Sequence, residues 1–414
     1  MSDVLRADLA SRRLALKGLS SAVLLALAAC GGGGGGSSPA PSSVGGTPPA
    51  PVPPAPVPPA PPAPSLPPLS TGLPRLRGTS IFPNSGWTDT RTGSWANVPE
   101  LPKAGANVAR LFIQPFSFDG GKALLPGESL AKRLQASVAQ WGPLIDWCLS
   151  QRMHVVLAVT LDVNWPAAAV WPDDGRALWS DPSAQSEFVE AWGELAQQFL
   201  GMKGIVFELL NEPQGRTPAE IDNNHAVAKD AWNQLHKLAL AQVRHIDPDR
   251  WVILEPVWGD PANFADLEPN GDAKTVYSFH CYGPHYFTHQ GIGGNPAAGT
   301  VHYPGVTQDN PWTAATTWNK AALAAGMQPA LDYAAAHSVR MMLGELGCTR
   351  AAPAADRAAW VADAMSLAES AGFDIVYYQY DGWGVPAGFA QGWAFENSSV
   401  ADTVLASFAL NKTA

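Results

Sequence analysis

Charged residues are scarce in this chain of 414 residues. Asp, Glu, Lys and Arg together make up 15% of the sequence, well below the roughly 25% of an average soluble protein. Lys and Arg number 26 against 36 Asp and Glu, which gives a formal net charge of −10, and the sequence contains no basic tract. An acidic chain of this kind offers little to a phosphate backbone, which argues against nucleic acid as the main partner.

Cysteine and long apolar runs are also rare. Four Cys in so long a chain exclude a small fold held together by disulfides. The apolar run at residues 19–29 is too short to span a bilayer as a helix, but it fits the apolar region of a signal peptide. It follows residues 11–17, Ser-Arg-Arg-Leu-Ala-Leu-Lys, which resemble a twin-arginine export signal.

The apolar run ends in Leu-Ala-Ala-Cys at residues 27–30, which resembles a bacterial lipobox. We therefore predict that residues 1–29 are a signal peptide and that Cys30 is lipidated after cleavage. The alternative is an ordinary secretory signal that happens to precede a Cys. The first interpretation predicts an outer-membrane lipoprotein of the bacterial cell envelope, held to the membrane through Cys30, and the second an extracellular protein.

The stretch after Cys30 is a predicted linker, residues 30–74. Residues 31–74 contain no charged residue and consist mainly of Gly, Ser, Pro and Ala. Such a composition buries too little apolar surface to offset its ordering entropy, so we expect disorder. The Pro-rich part is a stiff spacer of roughly 3.1 Å per residue, suited to holding the domain at 75–414 away from a surface.

In residues 75–414, short apolar runs alternate with longer amphipathic segments. Apolar, β-branched runs predict eight buried strands, at 76–82, 107–113, 154–161, 204–211, 251–256, 275–280, 339–345 and 374–380. Amphipathic segments predict helices at 129–151, 183–200, 224–246, 315–336, 356–371 and 400–410. Eight strands alternating with helices predict an α/β fold, the (β/α)8 TIM barrel. A doubly wound open sheet is disfavoured because no GxGxxG or phosphate-binding loop opens a helix.

Carboxylates end two of the predicted strands, where a barrel of this type has its active site. Glu212 ends the fourth strand, because Pro213 cannot continue the hydrogen-bond ladder. Glu345 ends the seventh strand. Two carboxylates at one barrel mouth are the residues that glycoside hydrolysis requires. Glu208 lies deeper on the same face of its strand, and we predict that it is buried and paired with a basic group such as Arg110.

The two strand ends also show a family resemblance. Leu-Asn-Glu-Pro at 210–213 and Gly-Glu-Leu-Gly at 344–347 resemble glycoside hydrolase family 5, the cellulase family, in the clan of retaining (β/α)8 glycosidases. The resemblance covers essentially all of 75–414. It implies that Glu212 is the acid/base and Glu345 the nucleophile of a double displacement, with a covalent glycosyl–enzyme intermediate and net retention.

The resemblance extends to four supporting residues. Arg110 corresponds to the arginine that orients the nucleophile, and it would donate to Glu345 together with Tyr282. Asn211 corresponds to the asparagine before the acid/base and would bind the sugar 2-hydroxyl. His280 would orient the acid/base or bind the sugar.

The chain departs from the family pattern at two strand ends. At the end of the third strand, Thr160 or Asp162 takes the place of the family's His. At the end of the eighth strand, where the family has a Trp that stacks on the sugar, the candidates are Tyr380, Tyr378 and the loop residue Trp383. Both departures affect substrate contacts and leave the reaction unchanged.

Tryptophan is abundant, with 16 residues. Those in the predicted helices belong to the core. An indole ring can also stack on the flat C–H face of a pyranose, and we predict that role for Trp258 and Trp383. The other loop residues with this potential are Trp87, Trp165, Trp171, Trp179, Trp312 and Trp393.

Two Cys follow functional residues on neighbouring predicted strands. Cys281 is next to His280, and Cys348 lies three residues after Glu345. In an oxidising compartment they could form a disulfide beneath the site. Two separate buried thiols explain the positions as well, so both alternatives stay open.

The residues and the resemblance together predict a retaining endo-β-glycosidase that hydrolyses a polysaccharide, with β-1,4-glucan as the favoured substrate. A β-mannanase or β-1,3-glucanase would need the same catalytic residues. Two alternatives come from another class: a non-catalytic polysaccharide-binding protein on a decayed barrel, and a scaffold for exopolysaccharide assembly. We expect a monomer with no metal and no other cofactor.

Overall fold

Eight parallel strands close into a barrel in the computed structural model of the chain. The structure describes residues 72–81, 98–116, 123–161, 171, 178–214, 225–292, 294–380 and 399–412. The barrel strands, with neighbours in the order β1-β10-β9-β6-β5-β4-β3-β2, are β1 (Arg77–Ile81), β2 (Val108–Ile113), β3 (His154–Val159), β4 (Ile205–Glu208), β5 (Trp251–Leu254), β6 (Thr275–Cys281), β9 (Arg340–Leu346) and β10 (Asp374–Tyr380). The predicted (β/α)8 architecture is confirmed. The predicted signal peptide, Cys30 and nearly all of the linker lie outside the described residues.

One layer of the barrel interior consists of apolar side chains, one from each of β2–β6, β9 and β10 and one from the residue before β1. These fully buried residues are Leu76, Val108, Val156, Val206, Ile253, Val276, Met342 and Val376. Because side chains alternate along a strand, the neighbouring residues face outwards and form a second core with the helices. Burial on both faces explains why the strands are continuous apolar runs in the sequence.

The helices surround the barrel. They are α1 (Glu100–Ala104), α2 (Leu130–Ser150), α3 (Pro182–Gln198), α4 (His225–Ile246), α5 (His285–Thr288), α6 (Lys320–His337), α7 (Ala354–Ala371) and α8 (Ser399–Ala409). Side-chain caps fix several starts: Asp181 accepts from two backbone N–H groups at the start of α3, for example. Within the described residues, every helix is too short or too polar to cross a membrane.

The connection from β6 to β9 differs from the prediction. It contains the short helix α5 and an antiparallel hairpin of β7 (Gly305–Thr307) and β8 (Thr316–Trp318). The helix predicted from residue 315 therefore begins later, at Lys320, where Asn319 accepts from Ala322 N–H as the N-cap. The β-branched pair at the start of β8 favours the strand.

Candidate active site

The strand ends at one mouth of the barrel bring together four carboxylates and two basic groups. The carboxylates are Glu208 at the end of β4, Glu212 four residues later, Glu255 directly after β5, and Glu345 in β9. The basic groups are Arg110 in β2 and His280 in β6. An oxygen of Glu212 and an oxygen of Glu345 lie within 4.8 Å of each other. The two predicted catalytic carboxylates therefore face one another.

Arg110 is completely buried and connects three side chains. Its Nε and Nη2 donate to the two oxygens of Glu208 at 2.7 and 2.5 Å. Its Nη1 donates to Glu345 Oε1 at 2.5 Å, and its Nη2 also donates to Asn211 Oδ1 at 2.6 Å. Although burial lowers the pKa of Arg110, Glu208 and Glu345 together raise it well above its ordinary value. The pairing of Glu208 with Arg110 is as predicted.

Glu345 has a second donor on its other oxygen. The hydroxyl of Tyr282 donates to Glu345 Oε2 at 2.7 Å. Together with Arg110, it holds the carboxylate on both oxygens, and bonds of this kind to an ionised group are the strong ones. The arrangement suits a carboxylate that must stay ionised and point in one direction.

Glu212 has different surroundings. Its side chain is 26% exposed, and its Oε1 lies 2.7 Å from His280 Nδ1. Burial raises the pKa of Glu212, the charge of Glu345 raises it further, and His280 opposes both. The net raised pKa favours a protonated carboxyl, which is the form that a general acid needs. The backbone of Glu212 is in the left-handed region, with φ of 43°.

Glu255 is a member of the site that the sequence analysis missed. It is fully buried. Its Oε2 accepts from the backbone N–H of Glu212 at 2.8 Å, and its Oε1 accepts from the hydroxyl of Ser278 at 2.9 Å. Its Oε1 also lies 2.8 Å from His280 Nε2. Although burial raises the pKa of Glu255, His280, Arg110 and the Glu212 N–H lower it to about 2.

His280 therefore hydrogen-bonds Glu212 through Nδ1 and forms an ion pair with Glu255 through Nε2. Although burial lowers the pKa of His280, Glu255 and Glu345 raise it well above its ordinary value. Glu212, His280 and Glu345 each offer one ligand atom within 4.8 Å, which is close enough to hold a metal ion. A metal would need a bare ring nitrogen, whereas these surroundings favour an imidazolium.

The end of β10 corrects one predicted contact. Tyr380 is 2% exposed and belongs to the core between barrel and helices, so it does not face the carboxylates. Tyr378 takes that place: its ring packs edge-on against Tyr282 at 6.4 Å and against Phe112 at 6.3 Å. Trp383, the third candidate, lies outside the described residues.

The other predicted contacts are placed as follows. Trp258 is 44% exposed, and its backbone N–H donates to Pro213 O at 2.9 Å, next to Glu212. Trp312 is also exposed, whereas Trp171 and Trp179 are buried. At the end of β3, Thr160 is buried and Asp162 lies outside the described residues, as do Trp87, Trp165 and Trp393.

Cys281 and Cys348 are separate buried thiols in the structure, as is Cys148. Of the two alternatives for the first pair, the structure therefore has the one without a disulfide. Burial raises the pKa of Cys281 to about 12. A thiol with so high a pKa is unreactive at neutral pH.

Comparisons with known proteins point to one family. The family model described as Cellulase (glycosyl hydrolase family 5) matches residues 71–383. Endoglucanase C of Acetivibrio thermocellus is 29% identical over 251 residues, which cover 56% of this chain and 69% of that protein.

Solved structures share the fold. Cellulose synthase subunit Z from Clostridioides difficile has a TM-score of 0.58 at 20% identity, covering 81% of this chain and 99% of that chain. A hyperthermophilic endo-β-1,4-glucanase in complex with substrate has a TM-score of 0.55 at 20% identity, covering 80% of this chain and 96% of that chain. At such identities, the likeness concerns the barrel alone.

Proposed function

We propose that this chain, which belongs to the cellulase family, glycosyl hydrolase family 5, is an endo-acting β-1,4-glucanase that works by retaining double displacement. Family membership makes it a glycoside hydrolase. The retaining mechanism is supported by one observation: oxygens of Glu212 and Glu345 lie within 4.8 Å of each other. In retaining enzymes the two carboxyl groups are about 5–5.5 Å apart, whereas inverting enzymes need about 6.5–9.5 Å to seat a water between them.

In the first step, Glu345 attacks the anomeric carbon while Glu212 gives its proton to the leaving oxygen. The bond from carbon to Glu345 forms as the glycosidic bond breaks. Arg110 and Tyr282 support this step because they hold both oxygens of the nucleophile. Asn211 accepts from Arg110 through its oxygen, so its amide N–H groups remain to bind the sugar 2-hydroxyl.

In the second step, Glu212 is ionised and accepts a proton from water. The water oxygen bonds to the anomeric carbon as the ester to Glu345 breaks, which restores both carboxyl groups. Two inversions at one carbon give net retention. His280 can donate to the carboxylate of Glu212 in this state, because its Nδ1 lies 2.7 Å from Oε1.

The choice of β-1,4-glucan is supported by the relatives. Endoglucanase C of Acetivibrio thermocellus matches over more than half of this chain. The exposed rings of Trp258 and Trp312 offer flat apolar surfaces of the kind on which a glucan stacks. A β-mannanase or β-1,3-glucanase remains the alternative and is an outcome of the test.

The test combines product analysis with trapping of the intermediate. Purified protein is assayed for reducing-sugar release from carboxymethylcellulose, mannan and laminarin, and we expect release from the first. NMR of early products should show the β-anomer first, and early α-anomer would refute retention. A 2,4-dinitrophenyl 2-deoxy-2-fluoro-β-cellobioside should label the peptide that contains Glu345.

Two variants complete this test. Glu345→Gln should abolish hydrolysis and labelling and leave folding intact. Glu194→Gln is the matched control, because Glu194 is exposed on α3, and it should behave as wild type. Unchanged activity in Glu345→Gln would refute the assignment of Glu345 as the nucleophile. Polysaccharide binding by wild type without any hydrolysis would favour the non-catalytic alternative.

We also propose that the protein is exported and anchored in the cell envelope through a lipid on Cys30. The support is the sequence at residues 11–17 and 27–30 and the uncharged linker that follows. Palmitate labelling at Cys30 and globomycin-sensitive processing test this location. A Cys30→Ala protein that still fractionates with membranes as wild type does would refute it.

A further inference from the structure

Glu255 is a buried carboxylate that the double displacement does not use directly. It follows β5, is fully buried, and has partners on both oxygens. An ionised carboxylate in such a place is costly unless every lone pair is matched. Its partners are the backbone of Glu212, four residues after β4, and the side chains of Ser278 and His280 in β6, so its placement depends on the tertiary structure and not on local sequence.

The first partner is the main chain of the acid/base. Glu255 Oε2 accepts from the backbone N–H of Glu212 at 2.8 Å. Glu212 has φ of 43°, a left-handed conformation that is strained for a non-glycine residue and persists only where the surroundings hold it. The bond from Glu255 is one such restraint, and it fixes the point from which the Glu212 side chain extends.

The second partner is His280. Its ring lies between the two glutamates, with Nδ1 2.7 Å from Glu212 Oε1 and Nε2 2.8 Å from Glu255 Oε1. The backbone of Gly259 lies close to His280, and that of Gly344 lies close to Ser278 and Glu255, because a glycine has no Cβ. A Cβ on Gly259 would lie 2.9 Å from His280 Nδ1, and one on Gly344 would lie 2.2 Å from Ser278 Oγ and 3.5 Å from Glu255 Oε1. The ring therefore has little freedom to turn.

We propose that Glu255 is a positioning residue for the acid/base: one of its oxygens holds the main chain of Glu212, and the other holds His280 against the Glu212 carboxyl. This inference rests on the proposed role of Glu212. Glu255 does not touch the substrate in this scheme. It acts by keeping both the backbone and the proton-bearing group of the acid in register with the leaving oxygen.

The charge on His280 follows from this arrangement. The titratable groups around the ring come from four strand ends: Glu208 and Glu212 from β4, Glu255 from β5, Glu345 from β9, and Tyr282 from its own β6. Arg110 in β2 is the other positive group in the cluster, and it is bonded to Glu208 and Glu345. Glu255 is the carboxylate that contacts Nε2, so it is the counter-ion that keeps a proton on that nitrogen.

The test uses Glu255→Gln and two substrates that differ in their need for an acid. Cellohexaose has a sugar leaving group that must be protonated, whereas 2,4-dinitrophenyl β-cellobioside has one that leaves without a proton. General acid catalysis contributes about 10²–10⁴-fold, and misplacing the acid should cost part of this, about 10- to 100-fold in kcat/KM for cellohexaose. For the aryl substrate we expect a loss of less than about threefold.

Two variants separate the possible outcomes. Glu208→Gln makes the same change at a buried carboxylate on the nucleophile side, so kcat/KM should fall by similar factors for both substrates. Glu212→Gln should lower kcat/KM strongly for cellohexaose and only slightly for the dinitrophenyl substrate. If it does, and Glu255→Gln lowers kcat/KM equally for both substrates, the inference on Glu255 is wrong and the proposed function stands. If Glu212→Gln shows no such difference between the substrates, the proposed function fails as well.

A measurement on the wild-type protein decides the matter where Glu255→Gln does not fold. In protein labelled with 15N-histidine, the His280 signals are assigned by their loss in His280→Asn. We expect both ring nitrogens of His280 to carry protons at pH 7. A neutral ring with one bare nitrogen at pH 7 would overturn the proposal.

Discussion

The substitution Arg110→Lys tests how the nucleophile is held, because it keeps the positive charge and removes the planar fork of donors. The guanidinium of Arg110 serves three acceptors, with two bonds to Glu208 and one each to Glu345 and Asn211. A Lys ammonium has all its donors on one nitrogen and cannot span Glu208 and Glu345 together. We expect it to stay with one carboxylate and leave the other without its cation.

The expected losses of activity and of stability follow from the contacts that Lys cannot make. Loss of the bond to Glu345 removes a contact to a charged group worth about 1.5–3 kcal/mol. At tenfold for each 1.4 kcal/mol, kcat/KM should fall by about 10- to 150-fold. Breaking a buried pair by removing one partner costs about 3–5 kcal/mol, and because Lys retains the charge, we expect the lower end for the free energy of unfolding.

The assay is kcat/KM for cellohexaose and 2,4-dinitrophenyl β-cellobioside, together with thermal unfolding. The value of kcat/KM should fall by the same factor for both substrates, because Glu345 attacks in either case. Arg244→Lys is the matched control: Arg244 donates to both oxygens of Asp272, but it lies on α4, so only stability should change. An Arg110→Lys enzyme with kcat/KM within about twofold of wild type, and with unchanged unfolding, would show that the guanidinium does not hold Glu345. A loss confined to cellohexaose would move Arg110 to the acid side of the site.

Three further predictions concern the acid/base and the cleft. Since the pKa of Glu212 is raised and its proton is needed, kcat/KM for cellohexaose should fall as the pH rises through that pKa; pH–rate profiles should show no such limb for the dinitrophenyl substrate, and an equal limb for both would contradict the role. Gly259→Ala, with φ of 61° and a Cβ 2.9 Å from His280 Nδ1, should lower kcat/KM about tenfold by displacing the ring. Its control is Gly271→Ala, with φ of 71° and open space around the Cβ, which should change thermal stability alone. Trp258→Ala should raise KM several-fold with stability unchanged within about 0.5 kcal/mol, because the residue is 44% exposed. An unchanged KM would show that Trp258 does not contact the substrate.

The strands were predictable because each is buried on both faces and so forms a continuous apolar run. The predicted runs overlap all eight barrel strands, and most ends agree within three residues. The helix start at Lys320 was not predictable from periodicity alone. The preceding Thr316–Trp318 acquires its strand conformation by pairing with Gly305–Thr307, a partner about ten residues away that no local pattern indicates.

The exchange of Tyr380 for Tyr378 has a similar cause. Between Thr79 and Ile81, β1 advances by two residues while its partner β10 advances by three, from Tyr377 to Tyr380. One extra residue reverses which face the following side chain occupies. Tyr380 therefore turns outwards into the core. Regular alternation would place Tyr378 and Tyr380 on the same face of the strand. A register shift of this kind leaves no signal in the residue types.

Glu255 shows a signal that was present but not used. Leu254-Glu255-Pro256 repeats the pattern of Glu212 and Pro213, a carboxylate that ends an apolar strand just before a proline. The same physical argument, that such a charge is costly unless used or paired, applies to both. The family motifs contain Glu212 and Glu345, and Glu255 was left without a role. Its partner Glu212 is 43 residues away in sequence, so the contact emerges only when the barrel closes.

The two halves of the proposed double displacement need opposite charge states from two carboxyl groups a few ångströms apart, and two separate sets of contacts in the site favour them. Glu345 has the guanidinium of Arg110 and the hydroxyl of Tyr282 on its oxygens, so its ionised form is matched by donors. Among the residues that the structure describes, the side-chain donor to Glu212 is His280, whose charge is already shared with Glu255. An imidazolium that is already paired with Glu255 can donate to Glu212 when Glu212 is ionised in the second step. It does not force Glu212 to ionise in the first step. A barrel with an unpaired cation at that position would hold Glu212 ionised and would lack its acid, which is why the buried carboxylate behind the ring matters to the chemistry.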